Sequence, residues 1–338
     1  MKEIIVDFGH SGVKASDCGK NIFIPSLQSL DHIEANVELS FDNESKLIDN
    51  LQVEIDGQQW VIGELAKDCD ITHHKFDDKT VMSDYARRLI LSSIALLVDG
   101  EEHVKLLSNL PTNQYSNIKK EFKAKYKDTY TIGVYDYNKE KYVDKTFTIE
   151  QIDLKPQGFL SLANYVLGPN GDFRADRKEV AKGYNVTIDV GYYSSDLYIS
   201  DKMAYQRVIP TQKLPGMSKA NRLIAKQLKK RFSVNKKSWE VEPYVKQQSI
   251  DIGPRTHNIK PLLEPIYKNI AGAISNEIRN LVDDIAEVNY FILAGGGATA
   301  LKSYFEAELA TDDNVLITDD PRFSNVNGGR KWIKRQEG

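Results

Sequence analysis

The sequence predicts an α/β protein of two lobes, and three observations carry that expectation. At 338 residues the chain exceeds what one small core usually organises, so two cores of roughly 150 residues each are the natural division. Strand-like and helix-like patterns alternate along its length. A short apolar strand ending in Asp-x-Gly occurs twice, reaching Asp7 and then Asp189, 182 residues later. That recurrence reads as an internal duplication at the level of fold.

Ile4 to Val6 is an apolar run, and Asn21 to Pro25 and Val37 to Phe41 carry further strand-like segments. Alternating apolar residues flank Asp56-Gly57 between Leu51 and Gly63, the signal for a hairpin with a tight turn. Tyr85, Leu89, Ile90, Ile94 and Leu97 fall at helical spacing over 84–98, followed by a strand at Val104 to Leu107 and a loop at Asn109-Leu-Pro-Thr112. Tyr115 to Tyr126 is a lysine-rich amphipathic helix, Thr129 to Leu154 two or three strands, and Gln157 to Val166 a short helix.

Gly168-Pro-Asn-Gly-Asp172, with the charged run after it to Lys182, reads as a linker or surface excursion. The pattern then restarts with Tyr184 to Gly191 and a second strand at Asp196 to Ile199. A helix capped by Ser218 runs to Phe232, and a longer one spans 258–282 despite Pro261 and Pro265. Tyr290 to Leu293 is a buried strand entering Ala294-Gly-Gly-Gly-Ala298. A helix through Leu309, a strand at Val315 to Thr318 and a helix over 323–335 close the pattern. The expected lobes are 1–167, with the last helix (about 323–338) packing back on it, and 168–322.

Net charge is −3, so no global positive field holds a nucleic-acid backbone or an anionic membrane, and no direct nucleic-acid contact is expected. The basic run from Lys226 to Arg231 reads as a solvated helix face. The two cysteines, Cys18 and Cys69, are too few for a disulfide framework and suit a reducing cytoplasm. No apolar stretch reaches the length of a membrane span. His73 and His74 are adjacent and lack further ligands, so they read as surface rather than metal-binding.

Glycines let a backbone approach an anion closely, so the two turns are candidate phosphate cradles. The first, Asp7-Phe-Gly9-His-Ser11-Gly12-Val-Lys14, offers Ser11 and Gly12 as donors, Lys14 as a point charge, and Asp7 as a magnesium holder acting through water. The second offers Gly191, Tyr192, Ser194 and Ser195, with Asp189 facing the same metal. Either turn alone is equally a plain hairpin; the pairing is what points to phosphate. Gly295, Gly296 and Gly297, between a strand and a helix, could admit a nucleotide's sugar, base and α-phosphate, and alone would be a tight strand-to-helix turn.

With these three motifs in this order, the chain resembles the actin, Hsp70 and sugar-kinase superfamily over nearly its whole length, and within it the bacterial and plasmid actin-like proteins of the ParM type. Asp56 to Ala66, Asn109 to Thr112, Lys155-Pro-Gln157-Gly158 and Asp320 to Gly328 are the segments most similar to that family. The resemblance implies an α/β, actin-like (ribonuclease H-like) duplicated fold: two lobes with mixed sheets around a nucleotide cleft. It implies ATP, with GTP possible, and Mg2+. It places Gln157 near the γ-phosphate, where its amide would orient the attacking water with help from Asp189. Some relatives carry Glu at that place. It puts Lys219 and Arg222 near the ribose or base, where both equally suit solvated surface positions.

By the same resemblance the expected function is an ATPase that polymerises head to tail into filaments for plasmid DNA segregation, through a ParR-like DNA-binding adaptor at a centromere-like site. A non-polymerising small-molecule kinase or phosphatase of the superfamily would need an acid or base facing a second substrate, and no motif supplies one. An MreB-like cytoskeletal protein would often carry an amphipathic membrane-binding end, which Met1-Lys-Glu-Ile4 does not resemble.

Overall fold

The structure, a computed structural model, describes residues 1–30, 44–69, 80–206, 213–309 and 313–337. The strand-like segment Val37 to Phe41 and the pair His73 and His74 lie outside the described residues. The chain divides into two compact units, one formed by 1–156 with 325–338 and the other by 157–324.

In the first unit a nine-stranded mixed sheet forms around strand Lys2–Phe8. On one side it pairs antiparallel with Gly12–Ser16, which pairs with Asn21–Pro25. On the other it pairs parallel with Glu102–Leu110, itself parallel to Lys141–Pro156. Alternation along Lys2–Phe8 sends Ile4 and Val6 into a core completed by Leu89, Ile90 and Ile94 of helix Asp84–Ala95. Ile5 points the opposite way, towards helix Ser324–Glu337. A β-carbon built on Gly329 would lie 2.8 Å from Ile5 Cγ2, so the helix approaches the sheet more closely than a side chain at that position permits. The Asp56-Gly57 hairpin forms between Leu51–Ile55 and Gln58–Ile62, with both turn residues at positive φ.

The second unit repeats the arrangement. Strand Tyr184–Val190 pairs antiparallel with Ser194–Asp201 and parallel with Tyr290–Ala294, which is parallel to Val315–Ile317. The core lies between this sheet and helices Met217–Phe232, Lys260–Leu281 and Ala298–Leu309, with Ile188, Ile224, Ile274 and Phe305 buried in it. Helix Phe159–Val166 also lies in this unit.

Several element ends differ from expectation. Ser218 is not the cap of its helix: the cap position is Gly216, without a side-chain bond, because the first helical amides find carbonyls elsewhere. The short helix begins at Phe159, after Gly158 in the left-handed region (φ 91°), which leaves Gln157 in the preceding turn. The segment after Gly168 is an ordered excursion, with helix Lys178–Lys182 and a buried Val180 whose carbonyl accepts from Asn185 Nδ2. The hairpin Ser249–Ile252 with Arg255–Asn258 was not legible, since its strands bury little and carry no clean alternation. Pro265 sits inside helix Lys260–Leu281 without ending it.

Candidate functional site

The first turn is a hairpin closed at both ends by backbone bonds: Gly9 N–H donates to Gly12 O (3.1 Å) and Gly12 N–H to Gly9 O (3.2 Å). His10 and Ser11 form its tip, and Ser11 is exposed. Gly12 owes its identity to packing, because a β-carbon there would stand 2.3 Å from the Phe23 ring and 2.6 Å from Ile24 O. Asp7 and Lys14 are cross-strand partners, and Lys14 Nζ donates to Asp7 Oδ2 at 3.0 Å with the carboxylate almost fully buried. An ion pair that dry keeps both charges in fixed positions below the turn.

The turn is braced from behind. Ser26 N–H donates to Ser11 O (3.1 Å) and Ser26 Oγ to Gly9 O (3.0 Å). Tyr85, in the first turn of helix Asp84–Ala95, donates its hydroxyl to Ser26 O. Burial pushes the Tyr85 hydroxyl up to about 12, partly offset by Gln28 and Arg88, so it stays a donor. Neither Ser26 nor Tyr85 belongs to a motif. Only their place behind the turn reveals them.

The second turn has the same register. Asp189 faces Asp196 as Asp7 faces Lys14, and Val190 faces Ser195 as Phe8 faces Val13. Gly191 N–H donates to Ser194 O at 3.1 Å, matching Gly9 and Gly12. Ser195 Oγ donates to Pro215 O (2.8 Å) and is buried, whereas Ser194 is half-exposed. Met217 N–H donates to Gly191 O and Ser218 N–H to Tyr192 O, so carbonyls of the turn cap helix Met217–Phe232. Lys219 and Arg222 are exposed in the first turns of that helix, three residues apart and so on one face.

The glycine cluster closes on the same place. Gly295 has φ 83°, and a β-carbon on it would meet Asp189 Oδ1 and Val190 O at 2.4 Å each. One on Gly297 would meet Val190 Cγ1 at 2.5 Å and Met217 Cγ at 2.7 Å. Gly297 N–H donates to Val190 O (3.0 Å) and Gly295 N–H to Pro321 O (2.8 Å). Gly296 alone is exposed, with nothing within 4 Å of its β-position. Two glycines are therefore required by the fold and the third leaves open space.

Within the second unit the structure thus gathers Asp189, Gly191, Tyr192, Ser194, Ser195, Gly295, Gly296 and Gly297 about one strand end, with Lys219 and Arg222 on the adjoining helix. Gln157 is half-buried, and its neighbour Gly158 packs where a β-carbon would lie 2.5 Å from Tyr198 Cβ. Tyr198 sits on the strand that carries Ser194 and Ser195. Asp7, Gly9, Ser11, Gly12 and Lys14 form a separate constellation in the first unit. Cys18 and Cys69 form no disulfide. Among the described residues no group of three or more His, Cys, Asp or Glu side chains could ligate a metal directly, and no helix is long and apolar enough to cross a membrane.

Residues 6–159 match the family model described as the actin-like proteins N-terminal domain, and 187–307 that of the archaeal actin homologue MreB-like C-terminal domain. These tandem domains, each containing one of the paired turns, define an actin-like protein. The chain belongs to the actin-like proteins.

A 15-stranded ParM filament from Clostridium botulinum superposes with a TM-score of 0.77 at 19% identity, covering 99% of both chains. The actin-like protein Alp7A gives 0.79 at 16% identity, covering 99% of this chain and 96% of that one. An archaeal actin homolog in complex with ADP gives 0.77 at 18% identity, covering 99% and 100%. A comparison with curated proteins found no match.

Proposed function

We infer that this chain is an ATPase whose nucleotide state governs its assembly into filaments, serving DNA segregation. The observation that carries the reading is the repeated hairpin: an Asp two residues before a glycine, in identical register, in each of two actin-like units. One such turn is ordinary, but its repetition in each unit, with the open Gly296 beside the second turn, supports a nucleoside triphosphate as ligand. The relatives solved as a filament and with ADP support it.

In this reading Ser11 at the first tip and Ser194 in the second turn donate to phosphate oxygens, and Lys14 adds charge. Gly296 lies beside the nucleoside, with Lys219 and Arg222 along its edge. Asp7 and Asp189 would each hold Mg2+ through water, an ion that keeps several waters and binds phosphate. Mg2+ so held would neutralise charge developing on the transferred phosphoryl group. Gln157 orients the attacking water through its amide oxygen, and Asp189 polarises it.

Assembly would be head to tail, since heterologous contacts that do not close build filaments. The DNA link would run through a separate DNA-binding adaptor, in keeping with the net charge of −3. The test is sedimentation and light scattering of the purified chain with Mg2+ and ATP, GTP, ADP or no nucleotide. Polymer is expected with triphosphate; its absence across a wide concentration range sinks the reading. Asp189→Ala should abolish phosphate release, and Gln157→Ala should slow it and prolong the polymer.

A further inference from the structure

Three strands of the first unit, Lys2–Phe8, Glu102–Leu110 and Lys141–Pro156, run parallel side by side. In sheets of this kind ligands sit off the carboxyl ends of the strands. Ile5 pairs with Leu107, and a β-carbon on Gly329 would lie 2.8 Å from the one side chain and 3.3 Å from the other, so both residues occupy one face of the sheet. Two residues further along each strand come Asp7 and Asn109, which alternation returns to that face. Asn109 pairs in turn with Lys155. The strand ends therefore carry a polar row of Asp7, Asn109 and Lys155, on strands about 4.8 Å apart.

The two charged members of the row are engaged. Asp7 accepts from Lys14 Nζ at 3.0 Å. Lys155 Nζ lies 3.3 Å from Asp153 Oδ2 and 5.2 Å from the centroid of the Trp332 ring. Asn109, between them, is only 5% exposed, and its Nδ2 is buried without a hydrogen-bond partner. The preceding residue shows that this strand can satisfy a buried polar group: Ser108, facing the other way, donates its hydroxyl to Val6 O at 2.7 Å.

An amide N–H kept dry without an acceptor costs free energy that an apolar side chain of similar size does not. Leu107 and Leu110 on the same strand are apolar and buried, and packing alone favours the same at 109. Buried polar groups in folded proteins are nearly all paired, and exceptions concentrate where an ion, a water or a reacting group belongs. This exception lies at the ends of parallel strands, beside the carboxylate proposed for Mg2+ and on the strand next to the one that enters the first turn.

We propose that Asn109 is a further phosphate-binding residue, whose Nδ2 donates to an oxygen of the terminal phosphate of the bound triphosphate. The proposal deepens the nucleotide reading and rests on it. A cation at this position would compete with Lys14 for Asp7, whereas a neutral amide donates without disturbing that ion pair. Its acceptor would be charged, which makes the hydrogen bond a strong one. A diphosphate lacks the terminal group and leaves the amide unpaired, so Asn109 favours triphosphate over diphosphate.

The experiment uses the full chain with Mg2+, reading calorimetric affinities for a non-hydrolysable ATP analogue and for ADP, together with thermal melts in the absence of nucleotide. Asn109→Leu and Asn109→Ala should each weaken the analogue about tenfold or more and leave ADP within about threefold of wild type. Asn109→Asp keeps the shape but turns a negative charge towards phosphate, and should weaken the analogue further. Without nucleotide, Asn109→Leu should melt at or above the wild-type temperature, because it removes an unpaired polar group. A residue kept for folding would show the opposite.

If wild type binds neither nucleotide, the nucleotide reading falls and takes this role of Asn109 with it. If wild type binds both, but the variants keep its ratio of the two affinities, Asn109 does not touch the terminal phosphate and the proposal alone is overturned. Lower melting temperatures for both Asn109→Leu and Asn109→Ala, with that ratio intact, assign the amide to folding and overturn it as well.

Discussion

Lys14 Nζ lies 3.0 Å from Asp7 Oδ2, directly across the hairpin whose tip carries Ser11. The carboxylate proposed for magnesium and the ammonium proposed for phosphate thus already neutralise each other. Removing one partner strands a nearly dry charge, at a cost of order 3 kcal/mol for a fully buried pair, and somewhat less here because Lys14 keeps slight exposure. Asp7→Ala should therefore lower the urea midpoint of unfolding and remove the stabilisation that Mg-ATP gives wild type. An unchanged midpoint would show that the pair contributes nothing.

The three glycines between Ala294 and Ala298 should respond differently to a single methyl group. Gly295→Ala meets Asp189 and Val190 O in a left-handed conformation, so a loss of about 2 kcal/mol or more is expected. Gly296→Ala meets nothing and should stay within about 1 kcal/mol of wild type while weakening binding of a fluorescent ATP analogue. Urea titrations of the pair decide it: equal losses would refute the division between packing and open space.

Tyr85→Phe removes the hydroxyl that holds Ser26 behind the first turn, a loss of about 1 kcal/mol. The folded-state value near 12 lies above the ordinary 10, so the neutral form is favoured by folding. That contribution is complete below pH 10 and disappears as pH climbs through the interval from 10 to 12. Thermal melts of both proteins across this interval should show the wild-type advantage shrinking; a constant difference would disconnect the hydroxyl's titration from stability.

Asp84 offers the opposite sign. Its hydrogen bond and charge interaction with Lys125 hold the carboxyl below its ordinary 3.8, so its contribution is present above 3.8 and lost as pH falls below. The carboxylate is largely exposed, and solvent screening limits Asp84→Asn to under about 1 kcal/mol. Acid titrations of stability should converge for variant and wild type at the lowest pH.

The sequence made the duplicated turns legible because a strand ending in Asp-x-Gly imposes its own geometry, and the Asp56-Gly57 hairpin was legible for the same local reason. What held those turns in place was not. Ser26, Tyr85, Pro215 and Pro321 act through hydrogen bonds spanning 15 or more residues in sequence, where no periodicity marks them. Ser218 looked like a cap because a serine at a helix start commonly is one. The chain instead caps that helix with Gly191 and Tyr192 carbonyls, a tertiary solution no local pattern announces. Gly329 within the last helix is likewise set by a distant partner, Ile5, which packs where its side chain would stand.

The close seat of Gly329 on Ile5 also sets an order of events during synthesis. The first unit is built from 1–156 and 325–338, with all of 157–324 between. A ribosome must therefore finish the second unit before it delivers the helix that covers Ile5. Until then the sheet face bearing Ile5 lacks its lid, a sticky surface in a nascent chain.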